Sequence, residues 1–290
     1  MRAASGPIPG LRPVPAVQFR ALGILETILA TKRDEVTVLR HPQTRDLLRR
    51  RALEAPPVRD FAGALRRADG GLAVIGELKR RSPSKGDLAP DLDAAATAKS
   101  YEAGGAAALS VLTDGPHFGG SVADLDDARS ATSIPVLRKD FTIDEIQVYE
   151  ARAIGADALL LIVAALPDDA LLSDLHALAT ELGLGVLVEA HGEPEIERAL
   201  RAGARIVGVN SRDLSTFAED LGIAEAGAVS IPGDVIAVAE SAVRGVEDAA
   251  RMAAAGFDAV LVGEALVRSE DPSALVRAMA ARSVRRRGGE

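Results

Sequence analysis

The sequence predicts an α/β fold, a (β/α)8 TIM barrel with an N-terminal helical extension. The main observation is a unit that recurs from residue 73 onward: a short apolar strand, a loop and an Ala-rich amphipathic helix. A second observation is the glycine that follows many of the helical runs, because glycine readily adopts the left-handed conformation that ends a helix. This junction recurs in the phrases EAGGAA, AIGADA, RAGARI and AAGFDA.

The strands of these units are nearly all apolar, which indicates a parallel sheet covered by helices. Eight units over roughly 200 residues favour closure into a barrel. An open doubly wound sheet is the alternative, but no G-x-G-x-x-G motif follows the first strand. The predicted strands are Ala73–Lys79, Ala107–Thr113, Pro135–Lys139, Asp157–Val163, Gly185–Glu189, Ile206–Asn210, Val235–Glu240 and Ala259–Gly263. The predicted helices include Asp91–Ala103, Asp144–Ile154, Asp168–Leu182, Pro194–Ala202 and Val246–Ala255.

The two ends of the chain differ from this repeating region. Met1–Val17 is rich in Pro and Gly and is expected to be a mobile tail, and residues 18–70 form the helical extension. Residues 71–283 form the barrel, and the basic residues 284–290 are expected to be solvated, so the whole is a single domain. Helical spacing does not say which end of the barrel the extension covers. The extension's predicted helices lie within Phe19–Val38, Arg45–Leu53 and Arg59–Arg67.

Composition excludes several classes of function. The chain has no cysteine, so disulfides and thiolate chemistry are excluded, and this fits a reducing compartment. The net charge of −8 and the absence of Trp argue against a nucleic-acid partner. The longest apolar run, Ala158–Leu166, is too short to span a bilayer, and the N-terminus lacks the hydrophobic stretch of a signal peptide. We therefore expect a soluble, cytoplasmic protein without a membrane partner.

Polar residues gather at the carboxyl ends of the predicted strands, where barrels of this kind hold their active sites. Alternation along the first strand puts Ile75, Glu77 and Lys79 on one face. A structural ion pair at the strand end is the alternative interpretation of Glu77 and Lys79 in isolation. Convergence of several charges at one mouth favours an active site, because neighbouring charges and burial tune the pKa of each ammonium group. The polar residues at the strand ends are Glu77, Lys79, Lys139, Glu189, Asn210, Glu240 and Ser241, with Arg212 just beyond.

The last two strands carry a second signal, for phosphate. In AESAVRG and VGEAL, small residues stand immediately before a helical segment, and barrels often bind phosphate at helix starts after strands 7 and 8. The run Glu264–Arg268 has the length of the extra helix found in such sites. Arg81, Ser82 and Lys85 on the first loop are candidates for further contacts, while ordinary strand-to-helix turns are the alternative. The four histidines are scattered, so no metal site is predicted.

These residues lie in segments that resemble a known family, the indole-3-glycerol-phosphate synthases of tryptophan biosynthesis. The matching segments are IGELKRRSPSKG, SVLTDGPHFGGS, IPVLRKDF, ALLLIVAAL, LVEAH, GVNSRDL, VAESAV and VLVGEAL, with PPVRDFAGAL in the extension. The resemblance runs from about Leu22 to Arg282. It implies ring closure of carboxyphenylamino-deoxyribulose 5-phosphate with loss of carbon dioxide and water, without a cofactor. The expected partner is this small phosphorylated, anthranilate-derived substrate, and we expect a monomer.

The resemblance also implies roles for individual residues. Lys139 is the general acid of ring closure, Glu77 and Lys79 are the base and the acid of the dehydration, and Glu189 and Asn210 orient and tune these groups. Substrate binding is assigned to Ser82, Phe118, Phe141, Arg212, Ser241, Ala242, Gly263 and Glu264. Arg212 meets the anthranilate carboxylate and the two phenylalanines pack against the aromatic ring. Ser82 and the backbone at positions 241–242 and 263–264 hold the phosphate.

Two positions depart from the family's pattern. Ala242 stands where the family usually has Gly, and its methyl group is expected to weaken substrate binding without abolishing activity, because phosphate approaches the backbone closely there. Glu264 stands where some relatives have Ser, and its side chain is expected to turn outward.

Two other functions remain open from the residues. A phosphoribosylanthranilate isomerase or another phosphate-binding barrel fits the architecture, but those isomerases use a Cys/Asp pair and this chain has no Cys. A non-catalytic barrel kept for protein contact is expected to lose the polar residues of the mouth, and this chain retains them.

Overall fold

The computed structural model describes residues 23–212 and 218–287. In these residues eight parallel strands close into a barrel: each strand pairs with the next along the chain, and the last pairs with the first. The strands are β1 Ala73–Leu78, β2 Ala108–Leu112, β3 Val136–Lys139, β4 Ala158–Ile162, β5 Gly185–Ala190, β6 Ile206–Asn210, β7 Ile236–Glu240 and β8 Ala259–Val262. The predicted TIM barrel is confirmed, and each predicted strand end lies within one residue of the observed one.

Helices precede the barrel and connect its strands. The helices are α1 Ile24–Leu39, α2 Pro42–Glu54, α3 Phe61–Leu65, α4 Ala94–Ala103, α5 Gly115–Phe118, α6 Val122–Ala131, α7 Glu145–Ala153, α8 Asp169–Glu181, α9 Glu193–Arg201, α10 Leu221–Ala228, α11 Val246–Ala255, α12 Glu264–Val267 and α13 Pro272–Ala280. A short 3-10 helix spans Val163–Ala165. After β1, a hairpin that the sequence analysis treated only as a loop pairs Arg81–Ser82 with Gly86–Asp87.

Alternation along the strands divides the apolar core into two parts. Ile75, Leu137 and Leu187 point into the barrel, where they form one buried cluster. Residues one position away, such as Val74 and Val136, face outward and pack under the helices. The barrel interior is therefore a filled core, and open space is left only towards the ends of the strands.

The N-terminal extension reaches both ends of the barrel. Helix α1 lies across the carboxyl-terminal mouth, where Leu25 and Ile28 line the cavity described below. Helix α2 packs along α7 on the side of the barrel. Helix α3 inserts Phe61 and Leu65 into the inner core cluster, and Phe61 contacts the backbone region of Gly185 at the start of β5. The extension thus covers the mouth with α1 and closes the opposite end with α3. The expected tail, Met1–Val17, lies outside the described residues.

The C-terminal segment differs from the expected solvated tail as far as it is described. The Val284 amide donates to the Gly70 carbonyl oxygen at 3.0 Å. Arg287 pairs with Asp258 at 2.8 Å and donates to the Val235 carbonyl oxygen at 2.6 Å, and its side chain is only 9% exposed. Asp258 thus supplies a counter-ion that anchors the segment at the amino-terminal end of the barrel. The run of arginines in the sequence does not show that such a partner exists. Across the described ranges, no helix has both the length and the apolar character needed to cross a bilayer.

Candidate active site

A cavity of about 370 Å³ opens at the carboxyl ends of the strands. The wall of this cavity contains every predicted site residue: Glu77, Lys79, Ser82, Phe118, Lys139, Phe141, Glu189, Asn210, Arg212, Ser241, Ala242, Gly263 and Glu264. Helix α1 adds Ile24, Leu25 and Ile28, which give one wall an apolar surface. Residues from all eight strands, from the connections after six of them and from the N-terminal extension therefore enclose one space, as expected for a ligand site in this fold.

Lys139 lies at the centre of the charged part of the cavity. Its Nζ is 3.1 Å from Oε2 of Glu189 and also pairs with Glu240. Asn210 donates from Nδ2 to the other oxygen of Glu189 at 2.9 Å, which fixes the orientation of that carboxylate. Burial acts to lower the pKa of Lys139, but the charges of Glu240, Glu189 and Glu77 outweigh burial and raise it above its ordinary value. Lys139 is therefore an ammonium group that can donate a proton.

The two carboxylates that share Lys139 titrate differently. Burial acts to raise the pKa of Glu189, but Lys139 and His191 outweigh it and hold that pKa below its usual range. Burial dominates at Glu240 and raises its pKa to about 7, against the attraction of Lys139 and with the help of repulsion from Glu189. Since one ammonium cannot fully compensate two buried carboxylates, the cluster takes up a proton near neutral pH.

Glu77 and Lys79 form the second charged pair. Lys79 Nζ is 2.5 Å from Glu77 Oε1, and Ser110 donates to the other oxygen at 3.4 Å. Burial acts to raise the pKa of Glu77, but the charges of Lys79 and Lys139 lower it below its ordinary value. Glu77 and Lys79 thus form an ion pair, and both residues also line the cavity.

Two glycines make room for the buried carboxylates. A Cβ added to Gly208 in β6 would lie 2.0 Å from Oε1 of Glu240, and one added to Gly263 would lie 2.6 Å from Oε1 of Glu77. Any larger residue at either position would displace a charged group of the cavity. Glycine in or just after a strand often marks such a close approach, so these positions carry a sequence signal for the site.

The turn after β7 has an unusual backbone. Ser241 and Ala242 adopt φ values of 64° and 60°, and they are the non-glycine residues with positive φ in the described ranges. The Val243 amide donates to the Ser241 carbonyl oxygen at 2.8 Å, which closes a three-residue turn around Ala242. Ala242 is therefore held in the left-handed region that favours glycine, at a cost of about 1 kcal/mol or more.

The first loop and the last short helix meet beside this turn. Helix α12 begins at Glu264, in agreement with the predicted extra helix. The Glu264 side chain does not simply turn outward: its Oε2 pairs with Lys85 at 2.8 Å while the residue lines the cavity. Ser82 is buried, and its Oγ accepts from the Lys85 amide at 3.3 Å. Arg81 instead donates to the Pro116 carbonyl oxygen, so it contacts the loop after β2.

The cavity wall also contains a guanidinium group and two aromatic rings. Arg212 donates from Nη1 to the Ser84 hydroxyl at 2.6 Å and pairs through Nη2 with Glu219. The rings of Phe118 and Phe141 lie 6.1 Å apart between centroids, tilted by 35°. A cation and an aromatic surface in the wall of one cavity suit an aryl carboxylate ligand.

Three charged residues of the site were not assigned a role by the sequence analysis. Glu240 was noted only as a strand end, and its contact with Lys139 follows from the closure of the barrel. His191 was counted only among the scattered histidines, yet its Nδ1 is 3.1 Å from Glu195 and its Nε2 is 3.8 Å from Glu189. Glu219 carries no local signal, because it meets Arg212 through an isolated β-bridge. Within the described ranges, no group of three or more His, Asp or Glu side chains is arranged to hold a metal ion.

The matching family model and the sequence relatives agree on one family. The family model for indole-3-glycerol phosphate synthase matches residues 25–279. A relative of that name from Paenarthrobacter aurescens (strain TC1) is 50% identical over 256 residues, which covers 86% of this chain and 92% of the relative. Another of that name, from Mycobacterium ulcerans (strain Agy99), is 49% identical over 253 residues, which covers 87% of this chain and 92% of the relative.

Solved structures with lower identity share the barrel. A 3-hexulose-6-phosphate synthase matches with a TM-score of 0.58 and 19% identity, over 74% of this chain and 100% of that one. A thiamine phosphate pyrophosphorylase from Pyrococcus furiosus matches with a TM-score of 0.55 and 18% identity, over 73% and 96%. These two likenesses bear on the fold alone. The family model and the relatives at about 50% identity cover most of the chain. They show that the chain belongs to the indole-3-glycerol phosphate synthase family, whose members are decarboxylating lyases of tryptophan biosynthesis.

Proposed function

We propose that Lys139 is the general acid in the ring closure that this enzyme catalyses. The enzyme converts 1-(2-carboxyphenylamino)-1-deoxyribulose 5-phosphate into indole-3-glycerol phosphate, carbon dioxide and water, the reaction of its family. The observation that carries the proposal is the ammonium of Lys139, whose side chain is only 14% exposed and is held between Glu189 and Glu240 inside the cavity. A group so placed can protonate an oxygen that gains negative charge as the reaction proceeds.

Ring closure needs one proton from the protein. The aromatic carbon that bears the carboxylate attacks the ketone carbon of the substrate, and Lys139 gives its proton to the ketone oxygen. The bond between the ring and the carboxylate then breaks, carbon dioxide leaves, and the electron pair of that bond restores the aromatic ring. Glu189, which Asn210 orients at 2.9 Å, stabilises the ammonium before the transfer.

Dehydration needs a base and an acid close together. The hydroxyl formed in the first step leaves as water with a proton from Lys79, and Glu77 removes a proton from the neighbouring ring carbon. The contact of 2.5 Å between Lys79 and Glu77 places the two groups side by side, as an elimination across one carbon–carbon bond requires. The low pKa of Glu77 keeps it ionised and available as a base.

Binding groups for the rest of the substrate surround these catalytic residues. Arg212 is proposed to hold the aryl carboxylate, and Phe118 and Phe141 to contact the ring. Ser82 and the backbone at 241–242 and 263–264 are proposed to hold the phosphate, since amide groups at short turns and helix starts suit an anion.

We further propose that the enzyme acts as a monomer in the cytoplasm without nucleic-acid or membrane partners. The acidic balance of the chain, with a net charge of −8, supports the absence of a nucleic-acid partner. Size-exclusion chromatography with light scattering tests the monomer: a particle of twice the chain mass at assay concentration contradicts it.

The appearance of indole fluorescence from the substrate tests the assignment of Lys139. Replacing Lys139 by Ala is expected to lower kcat by about 100-fold to 10,000-fold, which is the range for loss of a general acid. The same replacement at Lys99, an exposed lysine on α4, is the matched control and is expected to leave kcat unchanged. An active Lys139→Ala enzyme contradicts the role of that lysine, and an inactive wild-type enzyme contradicts the synthase function.

A further inference from the structure

Glu219 is an acidic residue at a part of the cavity where a substrate carboxylate is expected. Its side chain is only 9% exposed, and it pairs with Nη2 of Arg212 and, at 3.1 Å, with Arg244. Both arginines line the cavity with it. Burial acts to raise the pKa of Glu219, but the hydrogen bond from Arg244 and the charge of Arg212 outweigh burial, so its pKa lies below the usual range. The residue is therefore a carboxylate at neutral pH.

The contacts of Arg212 leave little room for a second carboxylate. Its Nη1 donates to Ser84 at 2.6 Å, and its Nη2 is taken by Glu219. A guanidinium group binds a carboxylate best through a pair of parallel hydrogen bonds. Two carboxylates at the same edge also repel each other. A ligand carboxylate that binds Arg212 through a pair of hydrogen bonds that includes Nη2 therefore competes with Glu219 for that atom.

The surroundings of Glu219 offer it a second position. Arg244 is 72% exposed, so its side chain can move with the Glu219 carboxylate, and the pair between them can persist when Nη2 is given up. The charge of Glu219 then stays compensated. Glu219 can return to Arg212 later in the reaction. The substrate carboxylate departs as neutral carbon dioxide, which leaves the guanidinium group of Arg212 without its partner.

We propose that Glu219 is a specificity-determining residue, an internal carboxylate that competes with the substrate carboxylate for Arg212 and takes Arg212 back once carbon dioxide has left. The inference rests on the proposed function, in particular on Arg212 as the residue that binds the substrate carboxylate. Glu219 weakens the binding of ligands that carry the aryl carboxylate and leaves the binding of the decarboxylated product unaffected. The balance between substrate and product in the cavity then favours release of carbon dioxide.

The comparison of substrate with product tests this inference, because both carry the phosphate and only the substrate carries the carboxylate. In Glu219→Gln, the KM for the substrate is expected to fall about threefold to fivefold, the scale of a partly exposed ion pair. The inhibition constant of indole-3-glycerol phosphate is expected to stay within about twofold of wild type. A raised or unchanged KM overturns the inference, and so does an equal change for substrate and product.

A second variant keeps the test independent of how well Glu219→Gln folds. Arg244→Gln alters an exposed side chain and removes the partner to which Glu219 moves. It is expected to raise the KM for the substrate more than the inhibition constant of the product, whereas equal changes indicate only a lost charge near the phosphate and overturn the inference. The effect of Arg244→Gln on KM is expected to shrink in the Glu219→Gln background, and full additivity overturns it. If the wild-type enzyme forms no indole product, that result contradicts the proposed function and is distinct from the outcomes that test Glu219.

Discussion

The buried ammonium group of Lys32 ties helix α1 to the mouth of the barrel, and its replacement by Met should destabilise the fold. The side chain is 2% exposed and its Nζ lies 2.8 Å from Asp114, 2.9 Å from Asp140 and 2.8 Å from Glu35. Both aspartates are buried at the ends of strands that carry cavity residues. Methionine fills the volume of the lysine stem and removes the charge, so the change isolates the electrostatic part of the contact.

The expected loss of unfolding free energy is the cost of leaving Asp114 and Asp140 without the charge of Lys32. A buried carboxylate that loses its partner costs about 3–5 kcal/mol. Protonation sets an upper limit, because neutralising a carboxyl group of ordinary pKa at pH 7 costs about 4 kcal/mol. Arg138, 3.3 Å from Asp140, remains to compensate one of the two. We therefore expect Lys32→Met to lower the free energy of unfolding by about 3–4 kcal/mol at pH 7.

The stability of the wild type and that of Lys32→Met should depend on pH with opposite sign. Burial acts to raise the pKa of Asp140, but Arg138 and Lys32 outweigh it and hold that pKa below its ordinary value. This carboxylate therefore stabilises wild type above the unfolded pKa, and the stabilisation is lost as pH falls through the folded pKa. In the variant an uncompensated aspartate has a raised folded pKa, so stability falls as pH rises from about 4. The difference between the proteins should thus be smaller at pH 5 than at pH 7.

Urea unfolding followed by far-ultraviolet circular dichroism measures both quantities, since the chain has no Trp for fluorescence. Lys99→Met on the exposed face of α4 is the matched control, and it should change the free energy of unfolding by less than about 0.5 kcal/mol. A loss below about 1 kcal/mol for Lys32→Met, or a loss that does not grow between pH 5 and pH 7, would refute the account of Lys32 as a compensating buried charge.

Two further predictions concern the cavity. Ala242→Gly relieves about 1–2 kcal/mol of left-handed strain and adds about 0.4–1 kcal/mol of unfolded-chain entropy, so unfolding should cost about 0.5–1 kcal/mol more. The control is Ala254→Gly at an exposed position of α11, which should lower the free energy of unfolding by about 1 kcal/mol. The KM of Ala242→Gly should fall, and an unchanged KM would show that the methyl group does not hinder the phosphate. At His191, burial acts to lower the pKa, but Glu195, Glu189 and Glu240 outweigh it and raise the pKa. Since the imidazolium lowers the pKa of Glu189, His191→Asn should move the acid limb of the kcat–pH profile to higher pH, and an unmoved limb would contradict that role.

The barrel and the location of the cavity were predictable because both follow from local patterns and a general rule. Alternation of apolar residues located each strand, and glycines located the ends of the helices. The rule that barrel sites lie at the carboxyl ends of strands then brought residues such as Glu77, Lys139 and Asn210 together without knowledge of distances. The ion pair of β1 was the alternative interpretation of Glu77 and Lys79, and it could be considered because the two residues are neighbours on one face of one strand.

The missed features depend on contacts between segments far apart in the chain. Lys32 has the spacing of an ordinary helical lysine, and its burial arises only when Asp114 and Asp140 meet it over the mouth. Arg287 looked like part of a solvated basic tail for the same reason, since Asp258 is its partner in another segment. Glu219 reaches Arg212 by a single bridge outside the regular strands. Periodicity predicts which face of a helix or strand a residue occupies. It does not predict which charged residue from a distant segment will pair with it.

The charges around the cavity explain how an acidic chain binds a substrate that carries both a phosphate and a carboxylate. The cationic residues on the wall are Lys79, Lys85, Lys139, Arg212, Arg244 and Arg268, and the anionic ones are Glu77, Asp140, Glu189, Glu219, Glu240 and Glu264. With Glu240 ionised the wall is formally neutral, and it gains one positive charge when Glu240 takes up a proton near neutral pH, so a net positive potential is at most a minor source of affinity. Binding must instead exchange partners, with ligand oxygens replacing internal carboxylates at individual cations. Each exchange is close to neutral in charge, so hydrogen-bond geometry, more than attraction at a distance, decides which anion is accepted.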